Sequence, residues 1–180
     1  LDTPCRRWSD AALAYLLSLR GVDTVVVAYR MNLYLFGEHE GIYPALPDTV
    51  GEAARLRAWR SYVDLVTRLH AAGKRVVVVQ QAPELRKGIG DLILLERGER
   101  IVGVAERWWT RRQRFVRDHL ADLPPGVILV DPADVLCDGK VCLAASGGKA
   151  DYFDDDHLSV HGARKVAGQI FKLAAPSGPS

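Results

Sequence analysis

Two runs of β-branched residues, VDTVVVAY at 22–29 and RVVVVQQAP at 75–83, constrain the fold of this chain more than any other feature in it. Neither alternates apolar with polar residues, so each reads as a strand buried on both faces, the pattern of a parallel sheet. Between them GEAARLRAWRSYVDLVTRLHAA, 51–72, sets Leu56, Trp59, Val63, Val66 and Leu69 on one stripe of a helix that Gly73 ends. SDAALAYLLSLR, 9–20, predicts a helix ahead of the first strand, stopped by Gly21. Downstream, a helix over 104–122, a PPG break, a third apolar strand in VILVDP and a last helix over 159–174 complete the pattern. Alternating strands and helices of this kind predict a three-layer α/β/α sandwich on a parallel sheet, one domain over 1–175 with a frayed tail at 176–180.

Sheets of this type place their sites beyond the carboxyl ends of the strands, here AYRMN, QQAPEL and DPADVLC. A long loop from Arg30 to Val50 follows the first strand, and loops of that length tend to carry function. The 180 residues, 48% hydrophobic and 26% charged, suffice for a substantial core, and the net charge of +2 is too small to indicate nucleic acid. ERWWTRRQRFVR, 106–117, holds five arginines, but Ala105, Trp109, Val116 and Leu120 fit one buried stripe, so it reads as a surface helix with a basic outer face. No apolar run approaches the roughly 20 residues that cross a bilayer.

Cys137 and Cys142 flank Asp138, Gly139 and Lys140, a turn tight enough to bring two thiols into disulfide range, which implies an oxidising compartment. A metal site is the weaker alternative, because no second Cys/His pair stands at ligand spacing. Cys5 is then left over, with a partner upstream of this chain as one option.

YFDDDHLSVHGA, 152–163, crowds Asp154, Asp155 and Asp156 against His157 just before the last helix. In one reading Asp156 or Ser159 caps that helix and the acids favour its positive end. In the other, Asp154 folds back to Nδ1 of His157, fixes the tautomer and leaves Nε2 free to take a proton. The two are compatible, since a helix start holds a histidine rigidly. His161, one turn on from His157, adds a metal-site alternative that we disfavour.

VDTVVVAYRMNLYLFG, VVVVQQAPEL, and above all LVDPADVLCDGKVC leading into ADYFDDDHLSVHGARKVAGQI resemble the SGNH (GDSL-type) hydrolase superfamily. The nearer resemblance is to the SGNH domain at the C-terminus of membrane O-acyltransferases of the acyltransferase 3 type, and it covers nearly the whole chain. It implies Asp154 as the triad acid and His157 as the base, with no cofactor and no metal. It also implies an oxyanion donor after the first strand, commonly an Asn in a GxND pattern. This chain has AYRMN there, leaving Arg30 and Asn32 as possible oxyanion or substrate contacts.

The family's Gly-Asp-Ser nucleophile block, on the first strand of its sheet, has no counterpart here. Ser9 and Ser159 read as caps, Ser18 and Ser61 lie within helices, and Ser146 sits in a loop. The expectation is a domain lacking its first strand, with the nucleophile upstream and this chain inactive alone. The function implied is transfer of an acyl group, with acetyl the expected one, to a sugar hydroxyl of an envelope polysaccharide. It would act outside the cytoplasm, tethered through an upstream transmembrane domain, with an acyl donor and a polysaccharide acceptor as partners. A carbohydrate esterase and a non-catalytic glycan-binding remnant are the alternatives.

Overall fold

A computed structural model describes residues 4–37, 46 and 49–175, with side chains from Arg7 onward. The elements run α1 (Pro4–Ser18), β1 (Thr24–Ala28), α2 (Met31–Phe36), α3 (Glu52–Ala71), β2 (Arg75–Val79), α4 (Ile89–Glu96) and β3 (Ile101–Ala105). They continue with α5 (Glu106–Arg112), α6 (Arg114–His119), a 3-10 turn (Leu120–Asp122), β4 (Ile128–Val130), α7 (Ala133–Leu136), β5 (Val141–Ser146), β6 (Lys149–Ala150) and α8 (Val160–Ala174).

The valine runs form the expected parallel sheet, in the order β1-β2-β4. Register runs from Thr24 opposite Arg75 to Ala28 opposite Val79, and from Val77 opposite Ile128 to Val79 opposite Val130. The central strand divides the core by its period of two. Val76 and Val78 pack with Trp59, Val66 and Leu69 of α3. Val77 and Val79 face Leu92, Ile101, Tyr152 and Val166 on the opposite side. Helix α3 follows the stripe read from sequence, with Trp59, Val66 and Leu69 buried, and Tyr62 joins them.

β1 departs from the expectation of burial on both faces. Val25 and Val27 are buried, but Val26 is 49% exposed, because it points to the face of this outer strand that is left open, and among the described residues β1 pairs with β2 alone. An apolar groove runs along it, lined among others by Trp8, Leu16, Val26 and Tyr34.

A second, antiparallel sheet in the order β3-β5-β6 was not read from sequence. The segment 104–122, expected as one helix, begins inside β3 and then breaks into α5, α6 and the 3-10 turn. β3 pairs with β5, and the β5–β6 turn uses Gly147 (φ 55°) and Gly148 (φ 70°), left-handed conformations that suit a two-residue hairpin. Ser146 therefore ends a strand and is not a loop residue. Cys137 and Cys142 form the disulfide expected of them, at the start of that sheet. The long loop after β1 opens with α2, and much of the rest, like the tail at 176–180 and the side chain of Cys5, lies outside the described residues.

Candidate active site

The carboxyl end of the parallel sheet is where the acidic turn sits, held there by backbone. Leu85 N–H donates to the Asp155 carbonyl (2.7 Å) and Ile89 N–H to that of Asp154 (3.2 Å), so the loop after β2 cradles the turn. The chain around the turn pairs with itself as a narrow ribbon. Ser159 N–H donates to Asp151 O (2.9 Å), Tyr152 bridges Leu158, and Phe153 N–H donates to His157 O (2.7 Å). Ser159 is the helix cap, its Oγ accepting from the N–H groups of His161 and Gly162 (3.1 and 3.2 Å).

Asp154 folds back on the turn. Its Oδ1 accepts from the backbone N–H of His157 (2.7 Å) and Asp156 (3.0 Å), and its Oδ2 lies 2.8 Å from Nδ1 of His157. Burial opposes ionisation of this carboxyl, but the two backbone donors and the imidazole win and hold its pKa down at about 2. The His157 pKa is raised, first by the hydrogen bond to Asp154 and then by the charges of Asp156 and Asp154. With Nδ1 engaged, Nε2 faces outward on a side chain 66% exposed.

Asp156 proves to be part of this site, where the sequence offered it as a helix cap. It is nearly buried, its Oδ1 also 2.8 Å from His157 Nδ1, and its other oxygen is paired with Arg30. Burial raises its pKa, against the pull of Arg30. Arg30, from the carboxyl end of β1, is thus brought into the cluster. The ligand atoms of Asp154, Asp156 and His157 lie within 4.8 Å of one another, a group among the described residues that could share a cation. His161 is not among them, since its Nε2 turns to Asp151 Oδ1 at 3.6 Å.

Asn32 lies beneath the rim, fully buried. Its backbone N–H donates to Gln81 Oε1 (2.8 Å), and its Oδ1 accepts from Gln113 Nε2 (3.2 Å), while its Nδ2 has no hydrogen-bond partner among the described residues. Gln81 donates to Glu84 (2.6 Å), and Glu84 takes both Nε and Nη2 of Arg112 at 2.6 Å. Arg112 is only 2% exposed, so the arginines of this segment do not all face water. This network was not read from sequence; its signal was the polar Gln80, Gln81 and Glu84 placed just after the buried valine run of β2.

The described serines do not supply a nucleophile at Nε2. The hydroxyls of Ser18, Ser61 and Ser159 donate to the carbonyls of Tyr15, Arg57 and Ala150. Ser146 is engaged by Asp151 and Lys165. Ser9, expected as a cap, lies inside α1 and lines the groove beside β1.

The α/β sheet thus carries an Asp–His pair at its carboxyl rim, the histidine tied at one nitrogen and open at the other, a geometry that lets an imidazole take a proton from a hydroxyl. The chain belongs to the family described as the SGNH domain fused to AT3 domains, whose model matches residues 2–172. Among solved structures it is similar to the periplasmic domain of a lipopolysaccharide acetyltransferase from Salmonella ser. Paratyphi A, with a TM-score of 0.57 and 13% identity. That likeness covers 91% of this chain and 60% of the other, and it shows the shared α/β/α fold. No curated protein matches the sequence.

Proposed function

We propose that this chain is the SGNH part of a membrane O-acyltransferase that moves an acyl group, most simply acetyl, onto a sugar hydroxyl of an envelope polysaccharide outside the cytoplasm. The observation that carries the reading is the Asp154–His157 pair, with Nδ1 tied at 2.8 Å and Nε2 open at the sheet rim. Membership of a family fused to AT3 domains supports the membrane partner. The disulfide and the periplasmic neighbour support the address.

The chemistry follows in two displacements. A serine hydroxyl gives its proton to His157 Nε2 as its oxygen attacks the acyl carbonyl, and the imidazolium returns that proton to the leaving group. A sugar hydroxyl then attacks the acyl-serine carbonyl, His157 takes the sugar's proton, and it passes that proton to the departing serine oxygen. Asp154 orients the ring and stabilises its charged form. Arg30, at the rim and more exposed than Asn32, is the nearer of the two candidates to meet substrate.

The nucleophile is assigned to chain outside these residues. The open edge of β1 supports this, because its outer N–H and C=O groups have no strand partner among the described residues. A parallel strand laid along that edge ends where β1 ends, beside Arg30 and the turn it holds. His157→Ala in the complete protein should abolish transfer of labelled acyl groups to polysaccharide with little loss of fold, since the ring is exposed. Retained transfer would refute the base. Labelled acid released to water, with none on the polysaccharide, would favour the esterase.

A further inference from the structure

We infer that Phe153 is a stacking platform for a pyranose ring of the acceptor, which rests on the acyl-transfer reading and names how its acceptor is held. A single exposed apolar side chain is ordinary on a protein surface. Phe153 differs by its place. In the ribbon that closes the turn, Tyr152 bridges Leu158, so Phe153 stands opposite His157, joined to it by the 2.7 Å backbone bond. Residues directly opposite in an antiparallel pair project from the same face, with Cβ atoms roughly 4.5–5.5 Å apart.

Burial agrees with that geometry. Tyr152 is 1% exposed and Leu158 packs against the same core cluster, whereas the Phe153 residue is 78% exposed and the His157 side chain 66%. The phenyl ring and the catalytic imidazole therefore share the outer face of one short, tightly bonded ribbon. The Asp154 turn and the cap of α8 hold that ribbon at both ends.

The chemistry selects the ligand. The hydroxyl that attacks must reach His157 Nε2, so the rest of its sugar lies over whatever flanks the imidazole. A phenyl face is electron-rich and apolar, and it complements the C–H face of a pyranose, whose hydrogens carry partial positive charge. Asp155, exposed at the tip of the same ribbon and without an ion-pair partner among the described residues, can accept from the ring's outward hydroxyls. An acetyl group is too small to need such a surface.

The test uses the complete protein, p-nitrophenyl acetate as donor and a panel of methyl pyranosides as acceptors. The pyranoside concentration that diverts half the acyl groups from water to sugar should rise about tenfold in Phe153→Ala. It should return to within about twofold of the parent in Phe153→Trp, and Phe153→Leu should behave as Ala. Saturation-transfer NMR of the same pyranosides gives an arm independent of activity, in which their ring C–H signals should be lost in Phe153→Ala and kept in Phe153→Trp. Unaltered NMR contact in Phe153→Ala, restoration by Leu as full as by Trp, or a defect seen only with p-nitrophenyl butyrate in place of the acetate would each overturn the platform. A parent protein that contacts pyranosides through Phe153 yet transfers nothing to them would instead sink the acyl-transfer reading alone.

Discussion

Two carboxylates reach one imidazole nitrogen in this site, Asp154 and Asp156 both at 2.8 Å from Nδ1 of His157. They are not equivalent. Asp154 is tied by two backbone donors and ionised down to about pH 2, whereas Asp156 is nearly buried, raised in pKa and committed to Arg30. In the proposed acyl transfer only neutral His157 can act as base, and its raised pKa places the acid limb of the pH–activity profile above the ordinary histidine value near 6.5. Asp154→Asn should lower turnover by about 10³-fold or more and move that limb to lower pH, toward but not fully to the ordinary value, because Asp156 remains. A limb that stays in place in Asp154→Asn and moves in Asp156→Asn would transfer the triad role to Asp156. The stability linkage has opposite signs for the two partners. The His157 contribution is present below about pH 6.5 and lost as pH rises through its raised pKa, while that of Asp154 is present above its ordinary value near 3.8 and lost as pH falls toward about 2. Both side chains are more than a third exposed, so solvent keeps each contribution small.

Helix α8 meets the ribbon through its own first turn. A Cβ on Gly162 would stand 2.1 Å from the carbonyl oxygen of Asp151, a backbone atom already accepting from Ser159. Asp151 is fully buried and anchors Lys165 of the same helix at 2.7 Å, so neither side can give way cheaply. Gly162→Ala gains about 1 kcal/mol of helix propensity but must overpack this contact, at about 1–3 kcal/mol or more. The expected outcome is a lower urea midpoint, together with a loss of transfer larger than the stability change accounts for, because the Asp154 turn hangs from the displaced ribbon. A raised midpoint would show that the contact relaxes freely.

At the scale of the whole molecule the unfinished feature is the outer edge of β1, with Val26 half exposed beside an apolar groove. If the complete protein adds a strand there, the outward N–H groups of β1 should exchange hydrogen slowly in the complete protein and quickly in residues 1–180 alone. Equal rates in both would remove that seat for the nucleophile. The parallel sheet, its order of elements and the Asp154–His157 pair were legible in the sequence because they rest on local patterns: β-branched runs, a 3.6-residue stripe, and a three-residue spacing that a single turn closes. The antiparallel sheet was not, since β3 and β5 are some 40 residues apart in sequence and each is too short to declare its partner. Nor could the sequence tell Asp156 from Asp155, or Arg112 from its neighbouring arginines. Charge type is written in the residue, but whether that charge is buried and what it meets depend on chain brought from elsewhere: Arg30 from just beyond β1 and Glu84 from the loop after β2. The sequence by itself thus determined the layers and the chemical pair, and only the tertiary structure decided which acids share the imidazole, because that depends on which distant groups the fold packs against each carboxylate.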